Sequence, residues 1–232
     1  MVSYACLTFV KLQNRLYIMG LEKQVSYKTT NTYQTLNSYS DTTKNVWIVF
    51  HGLGFLSRYF LRHFEILDPT ENYIICPQAP SKFYLGEDFK HVGACWLTKE
   101  DTILETSNVM SYIDQVFAAE NIHPKTNLIV LGYSQGVSIA TRWLASRKIS
   151  CQKLILHSGG IPKELTPKDF SHLDSTTQTT YLYGDKDQYI TQTRKTEETR
   201  KATALFGPNL TSLVFDGIHE VHGPSILDIA TN

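Results

Sequence analysis

Six short apolar runs recur along the chain: Val46–Phe50, Tyr73–Cys76, Leu128–Leu131, Leu154–Leu156, Tyr181–Tyr183 and Leu213–Phe215. Runs of this length without polar alternation suit strands buried on both faces, as in a parallel sheet. Between several of them the apolar spacing lengthens to that of a helix. Ser57–Leu67 puts Tyr59, Phe60, Phe64 and Leu67 on one face, and Thr102–Glu120 places Ile103, Val109, Ile113, Val116 and Phe117 at helical intervals. Ser134–Arg147 and Thr191–Leu205 are two further helical patterns. Strands alternating with helices predict an α/β fold: one mostly parallel twisted sheet with helices on both faces. Upstream, Gln24–Thr29 and Asn31–Asn37 alternate apolar and polar residues, which predicts an antiparallel hairpin at one sheet edge. The polar stretch Ser171–Thr180 is short enough to be a loop, and no repeat or Pro/Gly-rich linker divides the chain. Residues 19–232 therefore read as a single domain.

The length of 232 residues fits one large domain with a sizeable core. Lys+Arg and Asp+Glu are both 22, so the formal net charge is zero. That balance argues against a nucleic-acid binder, which carries a basic excess, and gives no charge-based case for an anionic membrane surface. Cys6, Cys76, Cys95 and Cys151 are scattered without CxxC spacing, so neither a zinc site nor a disulfide framework is expected. Reduced thiols imply a reducing, cytoplasmic compartment. No apolar run reaches the roughly 18 residues that a membrane span needs. Val2–Val10 is mostly apolar, but no basic residue precedes it and no small-residue cleavage site follows, so it lacks the form of a secretory signal. Residues 1–18 read as a disordered lead or a mis-called start, with Met19 opening a shorter chain.

In open α/β sheets, sites form beyond the carboxyl ends of the strands. The first apolar run is followed by His51-Gly52-Leu53-Gly54, the third by Gly132-Tyr133-Ser134-Gln135-Gly136, the fifth by Gly184-Asp185-Lys186-Asp187, and the last by Asp216-Gly217-Ile218-His219. A nucleophile, an acid and a base thus each stand at the mouth of a separate strand. Their chain order of Ser, Asp, His is one of the known orders for a catalytic triad. The G-x-S-x-G segment carries the strongest local signal, because it lies between an apolar run and a helical pattern. A sharp strand-to-helix turn exposes the hydroxyl of Ser134 and presses together the positions two before and two after it, where glycine is needed.

A serine hydroxyl needs a base to take its proton as it attacks. His219, in the loop after the last strand, is the favoured base, with His222 as rival; His157, at a strand end, is a candidate to line the site. The imidazole in turn needs an acid to fix its tautomer. Asp187 is favoured, because it can reach inward across the turn that Gly184 opens; Asp185 competes, and Asp216 sits too close to His219 in sequence. The oxyanion would be met by backbone N–H groups of Leu53 and Gln135.

These pieces, with Pro77-Gln78-Ala79-Pro80, Trp96 and Gly217-Ile218-His219-Glu220-Val221, resemble the small carboxylesterase/phospholipase family of α/β-hydrolases, which includes the acyl-protein thioesterases. The similarity runs from about Val46 to the C-terminus. The resemblance implies the α/β-hydrolase fold with minimal cap, Ser134, Asp187 and His219 as triad, and Leu53 and Gln135 as oxyanion donors. It further implies small-molecule ester or thioester substrates and no metal or organic cofactor. The expected enzyme is a carboxylesterase-type serine hydrolase working through an acyl-enzyme; the alternative is a catalytically silent ligand-binding relative. The chain departs from these relatives at Phe55, where they carry an acidic residue. The segment Phe55–Phe64 is rich in aromatics and Lys82–Trp96 is bulky and irregular. Phe55 and Trp96 are accordingly candidate walls of an acyl pocket, with core filling as the equal alternative. Oligomeric state leaves no trace in the sequence.

Overall fold

The computed structural model describes residues 20–231, together with the backbone of two short strands before them. The remainder of the expected lead at residues 1–18 lies outside the described residues. The chain divides into two units, residues 1–30 and 31–232. In the first, β1 (Lys11–Leu12) and β2 (Arg15–Leu16) pair antiparallel. The expected strand at Gln24–Thr29 does not form: residues 20–30 have no regular structure and are exposed at every position. The alternation there offers a face, with Val25 and Tyr27 on it, but both remain more than four-fifths exposed. Without a surface to cover that face, period-2 patterning gains nothing.

The second unit is built on a seven-stranded sheet in the order β11-β10-β9-β8-β4-β5-β3. Its strands are β3 (Tyr33–Leu36), β4 (Asn45–Phe50), β5 (Asn72–Pro77), β8 (Asn127–Tyr133), β9 (Lys153–His157), β10 (Gln178–Gly184) and β11 (Leu210–Phe215). Each of the six apolar runs falls within one of the parallel strands. β3 is the antiparallel edge strand, but its partner is β5 rather than residues 24–29. A small hairpin of β6 (Ser81–Leu85) and β7 (His91–Cys95) stands apart from the sheet.

The helices are α1 (Ser57–Phe60), which continues as a tighter turn through Phe64, α2 (Thr102–Ala119), α3 (Gln135–Arg147), α4 (Gln192–Phe206) and α5 (Gly223–Thr231). They cover both faces of the sheet. On one face Val46, Ile48 and Phe50 of β4 pack with Val109 and Ile113 of α2, Trp143 of α3 and Ala202 of α4. On the other, Trp47 and Val49 pack with Phe60, Phe64 and Ile226. Successive residues of β4 therefore point into different cores, which is why the strand reads as an unbroken apolar run. Two side chains depart from the expected faces: Tyr59 is 46% exposed and Ile103 is 91% exposed. Both lie in the first turn of their helices.

Candidate active site

β8 ends at Tyr133 and α3 begins at Gln135, so the chain must reverse within one residue. That residue is Ser134, with φ 53° and ψ −116°, a conformation that costs a side-chain-bearing residue about 1–3 kcal/mol. Its N–H donates to His157 O at 2.8 Å and its carbonyl accepts from Val137 N at 3.1 Å. The flanking glycines are required by contact. A Cβ on Gly132 would stand 2.4 Å from Gly136 O, and one on Gly136 only 2.0 Å from Phe50 O. The second contact seats α3 directly on the end of β4, where the His51–Gly54 loop begins.

The three residues expected from separate strand ends meet here. His219 Nε2 lies 3.0 Å from Ser134 Oγ, and His219 Nδ1 lies 2.7 Å from Asp187 Oδ2. Asp187 is 5% exposed. Its second oxygen, Oδ1, accepts from the N–H groups of Tyr189 at 2.8 Å and Ile190 at 3.2 Å, so the carboxylate is oriented before the imidazole reaches it. With Nδ1 donating to this carboxylate, Nε2 is left to accept the hydrogen bond of the Ser134 hydroxyl. The loops carrying Asp187 and His219 press together at Gly184, where a Cβ would meet Gly217 O at 2.3 Å.

The rival residues have other duties. Asp185 Oδ1 accepts from Gly217 N at 3.0 Å, and Asp216 pairs with Lys186 at the surface. His222 stacks on Phe215 and accepts from Ser225 N at 3.3 Å, ahead of α5. His157 is fully buried and accepts the His222 N–H through Nε2 at 3.0 Å. It ties β9 to the loop that holds His219. Burial, reinforced by the neighbouring His219, lowers its pKa to about 3.

The loop after β4 lies against Ser134: a Cβ on Gly52 would be 3.1 Å from Ser134 Cβ. The Gly54 N–H is taken by Ala94 O at 2.9 Å and that of Phe55 by Gly52 O at 3.3 Å. The N–H groups of Leu53 and Gln135 donate to no acceptor among the described residues. His51 fixes this loop. Its Nε2 accepts from Ala79 N at 3.1 Å, which makes Nδ1 the protonated nitrogen that donates to Gly52 O at 2.8 Å. Burial lowers its pKa to about 4, which keeps the ring neutral.

Trp96 is not a pocket wall. It is 1% exposed, donates Nε1–H to His51 O at 2.8 Å and packs on the rings of Phe50 and His51. The indole found a better use as a buried prop for the loop, its polar edge satisfied by a strand-end carbonyl. Phe55 is half-buried and meets Phe60, His63 and Tyr133 edge to face, so it lies one ring away from His219. The Gln135 side chain, which the motif did not foreshadow, accepts from Trp96 N at 2.9 Å and donates to Leu97 O at 2.7 Å. A cavity of about 530 Å³ lies at the opposite ends of the strands, lined by Asn45, Asn72, Asn127 and Lys153, and holds none of these site residues. Among the described residues no cluster of three or more His, Cys, Asp or Glu could hold a metal ion. No helix there is long and apolar enough to cross a membrane.

The family model described as Phospholipase/Carboxylesterase matches residues 31–231. The chain belongs to this family of α/β-hydrolases. Among solved structures, this family member is similar to the Zea mays acyl-protein thioesterase 2, at 16% identity and a TM-score of 0.66, covering 87% of this chain and 97% of that one. Esterase PE8 matches at 20% identity and a TM-score of 0.63, covering 88% and 97%. The Bacillus cereus carboxylesterase matches at 18% identity and a TM-score of 0.61, covering 87% and 92%. At such identities the likenesses bear on the fold. No curated protein gives a significant match.

Proposed function

We propose that this member of the phospholipase/carboxylesterase family hydrolyses carboxylic esters or thioesters through an acyl-enzyme on Ser134. The observation that carries the reading is the continuous relay of 3.0 Å and 2.7 Å from Ser134 Oγ through His219 to Asp187. Ser134 Oγ attacks the substrate carbonyl carbon while its proton passes to His219 Nε2. The carbonyl oxygen becomes an oxyanion and is met by the N–H groups of Leu53 and Gln135. The tetrahedral species collapses, the bond to the leaving oxygen or sulfur breaks, and Nε2 returns its proton to that atom. Water then attacks the acyl-enzyme with the same base, releasing the acid and restoring Ser134. Asp187 keeps the imidazole in the working tautomer and stabilises its charged form. No step requires a metal or organic cofactor, and the substrate is a small-molecule ester or acyl compound. The same proposal places the enzyme in the cytoplasm and treats residues 19–232 as one functional domain. The thiols of Cys76, Cys95 and Cys151 are free and buried, in keeping with a reducing compartment.

A fluorophosphonate probe tests the reading. Wild-type protein should be labelled, and Ser134→Ala should take no label and lose esterase activity. A wild type that takes no label and hydrolyses none of a series of p-nitrophenyl and thioester substrates of increasing acyl length would instead mark a silent binding protein.

A further inference from the structure

Two tyrosine rings touch His219. Tyr133 is 2% exposed, lies 5.2 Å from the imidazole centroid and donates its hydroxyl to His219 O at 3.1 Å. It is built into the core. Tyr189 differs. Its ring centroid stands 4.8 Å from that of His219 at an interplanar angle of 74°, yet the residue is 59% exposed. Its backbone is held at both ends: the N–H donates to Asp187 Oδ1, and the carbonyl accepts from Arg194 Nη1 at 3.1 Å. A firmly anchored loop thus presents a half-bare aromatic ring against the base. A lone exposed aromatic is ordinary on a protein surface, so its position has to carry the argument.

That position is set by the chemistry of the relay, on which this inference rests. His219 Nε2 lies 3.0 Å from Ser134 Oγ, and the leaving atom must come within hydrogen-bond reach of the same nitrogen to receive its proton. The oxyanion turns the other way, toward the N–H groups of Leu53 and Gln135. Groups attached beyond the leaving atom therefore pass along the His219 side of the site. Tyr189 stands there, and the neighbouring Ile218 is also exposed, at 54%. We infer that Tyr189 is a specificity-determining wall for the leaving group, favouring alcohols or thiols with a flat or bulky apolar body. The acyl group, on the far side of the carbonyl carbon, does not meet it.

The test uses two esters that share an acyl group accepted by the wild-type enzyme, one of benzyl alcohol and one of methanol. Tyr189→Ala should lower kcat/KM for the benzyl ester about three- to tenfold relative to the methyl ester, the range an aromatic contact supports. Tyr189→Phe should retain the wild-type preference. Hydrolysis of the common acyl-enzyme, which no longer holds the leaving group, should stay within about twofold in both variants. Equal losses on the two esters together with slower deacylation would show that the ring only holds His219, and would overturn the inference. So would an unchanged preference in Tyr189→Ala. Fluorophosphonate labelling in parallel separates the levels: normal labelling without leaving-group discrimination overturns this inference alone, whereas an unlabelled, inactive wild type overturns the relay and this inference together.

Discussion

Asp187→Asn isolates the tautomer from the geometry. The amide is nearly isosteric with the carboxylate, and its orientation is dictated by what the carboxylate already does. Oδ1 accepts two backbone N–H groups, from Tyr189 and Ile190. Only the amide oxygen can occupy that place, so the NH₂ must take the position of Oδ2, 2.7 Å from His219 Nδ1. There it donates. Nδ1 becomes an acceptor, the ring proton moves to Nε2, and Nε2 can no longer accept the proton of Ser134. Loss of the working tautomer costs about 10⁴-fold in kcat where a triad depends on it, which corresponds to about 5.5 kcal/mol of transition-state stabilisation. Stability should barely change, by about 1 kcal/mol or less, because both backbone bonds to Oδ1 survive. The assay is kcat on an ester substrate beside a thermal melt of the same preparation. A variant that melts with the wild type yet keeps more than about a tenth of its kcat would refute the assignment of Asp187 as the orienting acid.

Gly136→Ala should largely prevent folding, because its Cβ would lie 2.0 Å from the backbone oxygen of Phe50; Gly223→Ala, whose nearest neighbour is 4.0 Å away, should shift stability by no more than about 0.5 kcal/mol. Urea titrations of the two proteins make the comparison. Acid should destabilise the fold. His51 and His157 have folded pKa values lowered from 6.5 to about 4 and about 3, so between those values and 6.5 the unfolded chain binds protons that the native state refuses. Their contribution is complete above about pH 6.5 and falls with pH, by about 2 kcal/mol for each imidazole at pH 5. Urea midpoints that do not fall between pH 7 and pH 5 would show that neither ring stays neutral in the fold.

The parallel strands were legible because both faces of the sheet are covered: Trp47 and Ile48 are neighbours in sequence and fully buried in different cores. The relay was legible for a related reason, since each member lies within four residues of the end of such a strand. What escaped were elements whose signal is local and polar, or whose partner is distant. β6 carries Phe83, Tyr84 and Leu85 in a row but is exposed at all five positions, so the run has neither alternation nor a covered face to mark the β6–β7 hairpin. α5 starts at Gly223-Pro224, and a proline near a helix start is a signal that could have found it. The burial of Trp96 depends on the carbonyl of His51, 45 positions earlier, which no window of sequence contains. Gln24–Thr29 failed in the other direction: its alternation is genuine, but a strand also needs a neighbour.

The relay owes its geometry to backbone contacts more than to side-chain packing. Ser134 is held in its strained turn because Gly132 and Gly136 let strand and helix meet at distances no Cβ could share. The loops bearing Asp187 and His219 are locked at Gly184 in the same way, and Asp185 adds a side-chain tie to Gly217. None of these contacts involves the side chains that face solvent around the hydroxyl. Leu53, Tyr189 and Ile218 are each more than half exposed and can be exchanged without touching the crossings. On the proposed esterase reading, substitution at the rim should therefore alter which ester is accepted while leaving the chemistry intact, whereas substitution at a crossing should cost the fold itself. The two classes of variant separate along that line because a packed backbone contact has one arrangement, and an exposed side chain has many.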